Sequence, residues 1–503
     1  MDDIDDEDRD DEGRRAAEGA ATPGKPTRRA FVAGTLAAGA ALLGCGGDDT
    51  AVSSGTSTTT SSGSGGGHEG GGGTGAGGSG GGHGGAGGGP APVTPPETWP
   101  ESPEFPLGVS SGDARPNDVV LWARYTGSKE LLAVVYAMSG DDYVAEAGSF
   151  TATPADGGFC HVPADGLEPG AWYRFVFFEL DGGERVARSR IGRFRAAIAD
   201  DALEPLIFGA VSCTKSSEPF APLARAAEHT DLDAFLFLGD NAYCDGAETL
   251  ADYRTKYVEH FGKSEHIALR ASTSMLITWD DHEVLNDYNP ETVDAALAAD
   301  ARQAFFEHAA IERVAADPDR IWRSARWGHS VEVFVLDCRS ERKPSADQYI
   351  SPEQMAWLKA GLSQSPAVFK VIMNSVPITD MPLLWDAYQV DRWEGYDAQR
   401  TEILEHIDQQ GIEGVLWVAG DFHLAFIARV ANSGAGASQL EVLVGPGAQN
   451  SNVLVGTLNP PQFEWATGEN NFTALHFAPT TKKVRIVHYG GDGNPIHDAQ
   501  YDL

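Results

Sequence analysis

Cysteine is scarce in this 503-residue chain: there are five, an odd number with no CxxC pair, so neither a disulfide framework nor a structural zinc site follows. Basic residues are few as well, 37 Lys and Arg against 73 Asp and Glu, for a formal net charge of −36. Nucleic-acid binding and adhesion to anionic membranes both need basic patches, so this balance argues against them. Part of the acid excess is local, in the solvated run MDDIDDEDRDDE at the start, which is expected to leave with a signal segment. The apolar stretch after Arg28-Arg29 is about fifteen residues, short of the ~20 needed to span a bilayer. No internal repeat is present. Hydrophobic residues make up 42% of the chain, enough for a sizeable core, and the length exceeds one ordinary domain.

The first 104 of the 503 residues are expected to serve export rather than packing. Thr27-Arg28-Arg29-Ala30-Phe31-Val32 opens a small-residue apolar segment that reads as a signal h-region, and its paired arginines resemble a twin-arginine signal. That export machinery carries folded proteins. Leu42-Leu43-Gly44-Cys45 resembles a bacterial lipobox, so residues 1–45 are expected to be a lipoprotein signal, with lipid on Cys45 as the membrane anchor. A cleaved soluble signal and an uncleaved anchor are the alternatives. Residues 46–104 are Gly/Ser/Thr-rich and then Pro-rich, a composition that cannot bury enough surface to offset ordering, and they predict a disordered tether. His68 and His83 are expected to be solvated tether residues, with weak metal scavenging as the other reading.

Residues 105–198 carry short β-rich stretches, Val119–Arg124, Leu131–Met138 and Trp172–Leu180, between Gly, Asp and Pro clusters. Leu167-Glu168-Pro169-Gly170-Ala171-Trp172-Tyr173 is similar to the corner of a fibronectin type III-like β-sandwich, where a tyrosine hydroxyl ties a strand to an upstream loop. No catalytic cluster lies here, and Cys160 is expected to be a buried structural thiol. Residues 205–500 change to strand–helix alternation, which predicts an α/β core. The candidate strands are Leu206–Ser212, Ala234–Leu238, Met275–Thr278, Val331–Leu336, Phe369–Asn374 and Gly414–Ala419, with Lys483–His488 closing a sheet. Helices are predicted at Val293–Ala316 and Ser351–Leu362, the latter with Ser351 as N-cap and Pro352 at its first position.

The residues immediately after each strand carry the chemistry. Ser212-Cys213 ends the first, and Gly239-Asp240-Asn241 with Tyr243 ends the second. Trp279-Asp280-Asp281-His282-Glu283 comes after the third, Asp337-Cys338-Arg339 after the fourth, Asn374-Ser375 after the fifth, and Gly420-Asp421-Phe422-His423 after the sixth. Buried strands of α/β sheets deliver ligands at such ends. An ordinary core does not collect so many ionisable groups at one edge, because each isolated charge is costly there. A carboxylate with two oxygens at Asp240 can bridge two metal ions. Each residue alone has a bland reading, Cys213 as a small buried hydrophobe, Tyr243 as a core aromatic, and His423 as a structural imidazole.

The ordered set SC, GDxxY, WDDHE, LDxR and GDxH behind a β-rich N-terminal region resembles the PhoD family of alkaline phosphatases, within the calcineurin-like metallophosphoesterases. The resemblance covers roughly residues 105–500. It implies an α/β metallophosphoesterase β-sandwich flanked by helices, behind the fibronectin-like domain, and an iron(III) and calcium centre, with zinc or manganese as other possible occupants. Cys213, Tyr243 and His423 would hold iron, for which thiolate and phenolate are suitable ligands. Asp240 would bridge, and Asp281 and Asp421 would be the hard ligands of calcium; Asp280 is an alternative to Asp281. His282 would face the substrate and stabilise or protonate the leaving oxygen. Asn241 and Arg339 are the candidate substrate contacts, although Asp337 could equally hold Arg339 as a structural pair. Cys244 and Cys338 have no assigned role. The expected activity is hydrolysis of phosphate mono- or diesters in the cell envelope or beyond it, with a phospholipase D-like phosphodiesterase or a non-catalytic surface-binding lipoprotein as the competing readings.

Overall fold

The computed structural model describes residues 93–503. The expected signal, Cys45 and the tether up to residue 92 lie outside the described residues. The last part of the expected disordered tether, residues 93–104, is instead packed, with a 3-10 turn at Pro96–Thr98 and the Trp99 ring 4.9 Å from that of Phe178, because these apolar side chains find a surface to cover. Two large sheets face each other. The first has nine strands, in the order Pro495–Asp502, Lys483–Gly490, Asn471–Ala478, Leu206–Val211, Ala234–Leu238, Ser274–Thr278, Val109–Gly112, Asp118–Arg124 and Phe159–Asp165. The second has seven: Arg323–Trp327, Val331–Val335, Phe369–Met373, Val415–Ala419, Leu440–Leu443, Ala425–Arg429 and Phe463–Thr467. The three strands at the centre of the first sheet run parallel, as do the three consecutive strands from Val331–Val335 to Val415–Ala419 in the second.

Period-two alternation explains why these strands are apolar throughout. In Ala234–Leu238, Ala234, Leu236 and Leu238 face the core between the sheets, while Phe235 and Phe237 face the helices outside. Truncating either phenylalanine should therefore cost about 3–5 kcal/mol. Helices Leu250–Phe261 and Ala295–His308 contribute Tyr253, Tyr257, Phe261 and Phe305 to that outer layer. Helices Pro352–Gln364 and Asp397–Gln410 cover the second sheet through Met355, Leu358, Ile403 and Ile407. The result is a β-sandwich flanked by helices.

Ser351 caps its helix as expected, its hydroxyl accepting from the Gln354 amide at 3.1 Å. The helix expected over Val293–Ala316 is shorter, Ala295–His308. Side chains from two N-terminal strands occupy the carbonyls at its end: the Trp122 indole donates to Glu307 at 2.8 Å, and the His161 ring is hydrogen-bonded to the Ala309 carbonyl at 2.9 Å. Tertiary partners thus end it where local propensity would continue.

The N-terminal region departs from a self-contained fibronectin-like sandwich over 105–198. Its separate sheet has five strands: Asp142–Ala152, Glu130–Ser139, Trp172–Asp181 and Glu184–Arg188, with Gly192–Arg195 also on Trp172–Asp181. Val109–Gly112 instead pairs parallel with Ser274–Thr278, bringing Asp118–Arg124 and Phe159–Asp165 into the nine-stranded sheet. Ser274–Thr278 is buried along its whole length, so an unpaired row of backbone N–H and C=O groups on its edge would be costly, and the equally buried strand Val109–Gly112 pairs with it. Just beyond it, Asp113 accepts a fork from Arg323 at 2.8–3.0 Å, pinning the region to the second sheet. The tyrosine corner is present, with the Tyr173 hydroxyl accepting from the Glu168 amide at 2.7 Å. Cys160 is buried in the shared core.

Candidate metal centre

Glycine sets how closely the strand-end loops approach. Gly239 has φ +94°, and a Cβ there would fall 2.5 Å from the Asp280 Cβ; one on Gly420 would fall 2.5 Å from the Ser212 Cβ. Each GD pair therefore lets two loops pass in contact and delivers a carboxylate immediately after. The Thr214 amide donates to the Asp240 carbonyl at 3.0 Å, and the Ala448 amide to the Cys213 carbonyl at 3.1 Å, locking neighbouring loops together. Cys213, Asp240, Asp421 and His423 all have positive φ, +55°, +52°, +76° and +54°. Asp and His tolerate this left-handed region better than most residues. It costs on the order of 1–3 kcal/mol per residue and clusters at functional sites.

These loops bring the predicted ligands together. Ligand atoms of Cys213, Asp240 and His423 lie within 4.8 Å of one another, as do those of Asp240, Asp280, Asp281 and Asp421, and those of Asp240, Asp281 and His282. Asp240 belongs to all three groups. The Tyr243 hydroxyl donates to Asp240 Oδ2 at 3.0 Å and lies 3.3 Å from His423 Nε2.

Burial makes this cluster electrostatically incomplete. It drives the Asp240 carboxyl well above its usual range, the His282 imidazole pulls back, and Asp281 and Asp280 push it further up. Asp421 is raised by burial and then by Asp280. Cys213 and Tyr243 are each raised well above their ordinary values, by burial first and by Asp240 next. His423 is lowered to about 4 by burial and then by His282. Asp240 Oδ1 and Asp281 Oδ1 are buried without a hydrogen-bond partner. Two orphaned carboxylate oxygens among four crowded carboxylates, beside a thiol, a phenol and an imidazole, form a donor set that fits cations.

His282 stands at the edge of this group. Its Nδ1 is 2.6 Å from Asp245 Oδ2, which fixes the ring and leaves the other nitrogen free for a ligand. Burial would lower this histidine, but Asp240 and Asp245 raise it to about 10.

Two expected substrate contacts occupy other positions. Asn241 is fully buried, its side-chain amide donating to the Thr278 carbonyl at 2.7 Å, so it braces the strand instead of facing a substrate. Arg339 is only 1% exposed, and its guanidinium pairs with Asp280, Nε and Nη2 forking onto that carboxylate at 2.5 and 3.2 Å, while Asp337 accepts only from its backbone amide, at 3.1 Å. Its Nη2 also lies 4.0 Å from Asp281 and 3.8 Å from Asp421. The guanidinium thus neutralises the carboxylates from behind. The fork also ties down Asp280, while the orphaned oxygen belongs to Asp281, which favours Asp281 as the ligand. Cys244 and Cys338 are buried free thiols, the latter donating to Asn374 Oδ1 at 2.9 Å.

Sequence reasoning missed the Glu283 clamp. Its carboxylate accepts from the amides of Asp240, Asn241 and Asp280 at 3.2, 2.5 and 2.8 Å, fastening two ligand loops to each other. The last letter of WDDHE was its signal. Asp245, four residues before Thr249 in the same Gly-rich turn as Tyr243, is the orienting partner of His282. Lys215 was also missed: its ammonium lies 5.9 Å from the Tyr243 ring centroid, on the rim.

Comparison with known proteins agrees with this geometry. Residues 208–454 match the family described as PhoD-like phosphatase, and residues 91–198 match the PhoD-like phosphatase N-terminal domain. Alkaline phosphatase D of Bacillus subtilis (strain 168) is 26% identical over 387 residues, and the match spans 65% of this chain and 65% of that protein's own length. A solved structure described as "Structure of PhoD" superposes with a TM-score of 0.70 at 21% identity, covering 80% of this chain and 91% of that one. Purple acid phosphatase PPD1 from yellow lupin (Lupinus luteus) seeds gives 0.57 at 12% identity, covering 78% and 73%. The two structural likenesses establish the shared fold. With both family segments matched in order and the motif residues gathered at one edge, the chain belongs to the PhoD-like phosphatase family.

Proposed function

We propose that this chain is an exported, metal-dependent phosphoesterase that hydrolyses phosphate mono- or diesters at a dinuclear centre, which Cys213, Asp240, Tyr243, Asp281, Asp421 and His423 would hold. The observation that carries the reading is the pair of orphaned, buried oxygens on Asp240 and Asp281, inside a cluster whose carboxylates outnumber its cationic side chains. Iron(III) is assigned to Cys213, Tyr243 and His423, whose softer donors suit it, and calcium to Asp281 and Asp421. Bound there, the two cations would neutralise phosphate oxygens and activate water for in-line attack.

The protein's own groups do the rest. His282, oriented by Asp245, donates a proton to the departing alkoxide oxygen. Lys215 supplies a rim cation for the phosphate, the role Arg339 cannot fill from its buried position. The Glu283 clamp holds the Asp240 and Asp280 loops in register, so that neither carboxylate must reorganise when substrate arrives. The twin-arginine signal and lipidation at Cys45 are part of the same proposal: export of a folded, metal-loaded enzyme to the cell envelope.

The test is elemental analysis of exported protein, with turnover of p-nitrophenyl phosphate and its bis-ester. Iron and calcium with turnover, both lost in Asp240→Asn, are expected. Two zinc ions without iron would overturn the roles of Cys213 and Tyr243. A fully metal-loaded protein inert towards every phosphoester would instead favour a surface-binding lipoprotein.

A further inference from the structure

The helix Leu250–Phe261 is fixed beside the metal-binding edge. Thr249 and Asp252 close its first turn as a capping box, and the Tyr253 hydroxyl donates to the Val284 carbonyl at 2.9 Å, just past the Asp281-His282 loop. In the last turn of this helix His260 points inward and is only 2% exposed. Its Nδ1 lies 2.8 Å from the Lys256 carbonyl, one turn back, and the Tyr243 amide donates to its Nε2 at 3.1 Å. A carbonyl can only accept, so Nδ1 carries the ring proton and Nε2 is left bare as the acceptor for Tyr243.

The loop from Asp240 to Cys244 hangs from acceptors outside itself. The Asp240 and Asn241 amides end on Glu283, the Cys244 amide on the His282 carbonyl at 2.8 Å, and the Tyr243 amide on His260. Glu283 and His282 belong to a neighbouring ligand loop, whereas His260 stands on a helix. The His260 bond fixes the backbone end of Tyr243, while the hydroxyl end meets Asp240 Oδ2 at 3.0 Å and His423 Nε2 at 3.3 Å. The Tyr243 and His260 rings lie nearly parallel, at 17°, with centroids 6.0 Å apart. A phenol tethered at both ends keeps its oxygen in place before any ion arrives.

We propose that His260 is a positioning residue for the iron side of the centre: its bare Nε2 holds the Tyr243 backbone so that the phenol oxygen is presented together with Cys213 and His423, and this sets the affinity of those three ligands for iron(III). The idea rests on the reading of Cys213, Tyr243 and His423 as iron ligands and names the residue that orders them. Asp281 and Asp421 are steadied by other groups. The Asp287 amide donates to Asp281 Oδ2 at 2.5 Å, and Arg339 lies 3.8 Å from Asp421. Loss of the His260 bond should therefore strike one ion and spare the other.

The experiment compares His260→Gln, His260→Asn and His260→Leu in metal-loaded full-length protein. The Gln carboxamide oxygen reaches the position of Nε2 and still accepts from Tyr243. Asn reaches only the position of Nδ1, so it keeps the Lys256 bond and drops the Tyr243 one. Leu drops both. Iron and calcium retained in competition with a chelator, the phenolate-to-iron(III) charge-transfer band per bound iron, and thermal unfolding are measured. Asn and Leu should lose about 10–100-fold in iron affinity and shift or weaken the band, with calcium retained. Gln should keep both the iron affinity and the band of the wild type. Wild-type iron affinity and band in Asn overturn the proposal, whatever happens to the unfolding temperature, because a packing role alone would move only that. Equal loss of both metals in all three variants, Gln included, also overturns it. If Leu does not fold, Asn and Gln decide. A fault in the underlying reading shows in the wild type itself, as zinc in place of iron or iron without the band, and takes the proposal with it; a fault in the proposal alone shows only in the variants.

Discussion

Arg339 and Arg270 are both nearly fully buried, at 1% and 3% exposure, yet their surroundings are opposite. Arg339 faces an excess of acid. Burial alone would lower its pKa, but Asp280, Asp281 and Asp421 raise it well above normal. Arg270 has no carboxylate partner among the described residues. Its guanidinium lies 4.3 Å from the Trp122 ring centroid and 4.4 Å from that of Phe261, Nη2 donates to the His308 carbonyl at 3.4 Å, and Nη1 has no partner. Burial lowers it to about 9. At the loop edge, charge is concentrated so that cations can be held. In the helical layer, an unpaired base is tolerated only because aromatic faces surround it. Other buried bases share the second condition, including His488, which stands beside Trp465 and His497 and is lowered to about 3 by burial and then by His497.

The contrast can be tested from both sides. The largest expected effect is that of Asp240→Asn, which removes the shared carboxylate: kcat/KM should fall on the order of a thousandfold or more and bound metal should be lost, with circular dichroism unchanged. Next, Arg339→Met should cost about 3–5 kcal/mol in urea unfolding, because it strands the Asp280 charge. Unchanged stability would mean that Asp280 is neutral without its partner. Glu283→Gln weakens the amide clamp and should reduce metal affinity by about 10–100-fold, measured by competition with a chelator.

On the base-rich side, pH is the probe. His488 has a folded pKa of about 3, against the ordinary 6.5, so the unfolded chain takes up a proton that the native state refuses. Its contribution to stability is fully present above pH 6.5 and is lost as pH falls from there towards 3. The loss should reach about 2 kcal/mol by pH 5. His488→Leu should flatten that part of the stability profile. The smallest effect belongs to Arg270→Met: replacing an unpaired buried cation with an apolar side chain should change stability by less than about 1 kcal/mol, or raise it. A loss comparable to that of Arg339→Met would erase the distinction between the two sites.

The strand-end ligands were legible because each comes directly after a short apolar run, and because Cys213, Asp240, Asp281 and His423 recur in one order. Arg339 was only half legible. Sequence offered Asp337 two positions away, whereas the fork goes to Asp280, 59 residues distant. The buried fate of Asn241 had no local signal either, since a GDN turn reads alike whether its amide faces in or out. The N-terminal strands illustrate the same limit. Val109–Gly112 has the β character expected of residues 105–198, but its partner is chosen by the unpaired edge of Ser274–Thr278. Tyr173 was readable because its hydrogen bond spans only five residues.

That shared sheet also sets a schedule. Residues 109–112 leave the ribosome well over a hundred positions before Ser274, the residue against which Ser111 aligns. At synthesis rates of about 5–20 residues per second this interval is on the order of ten to thirty seconds. For that time Val109–Gly112 and the two strands beyond it have no sheet to join, so the nascent chain must carry an apolar ribbon through a long stretch of its own translation.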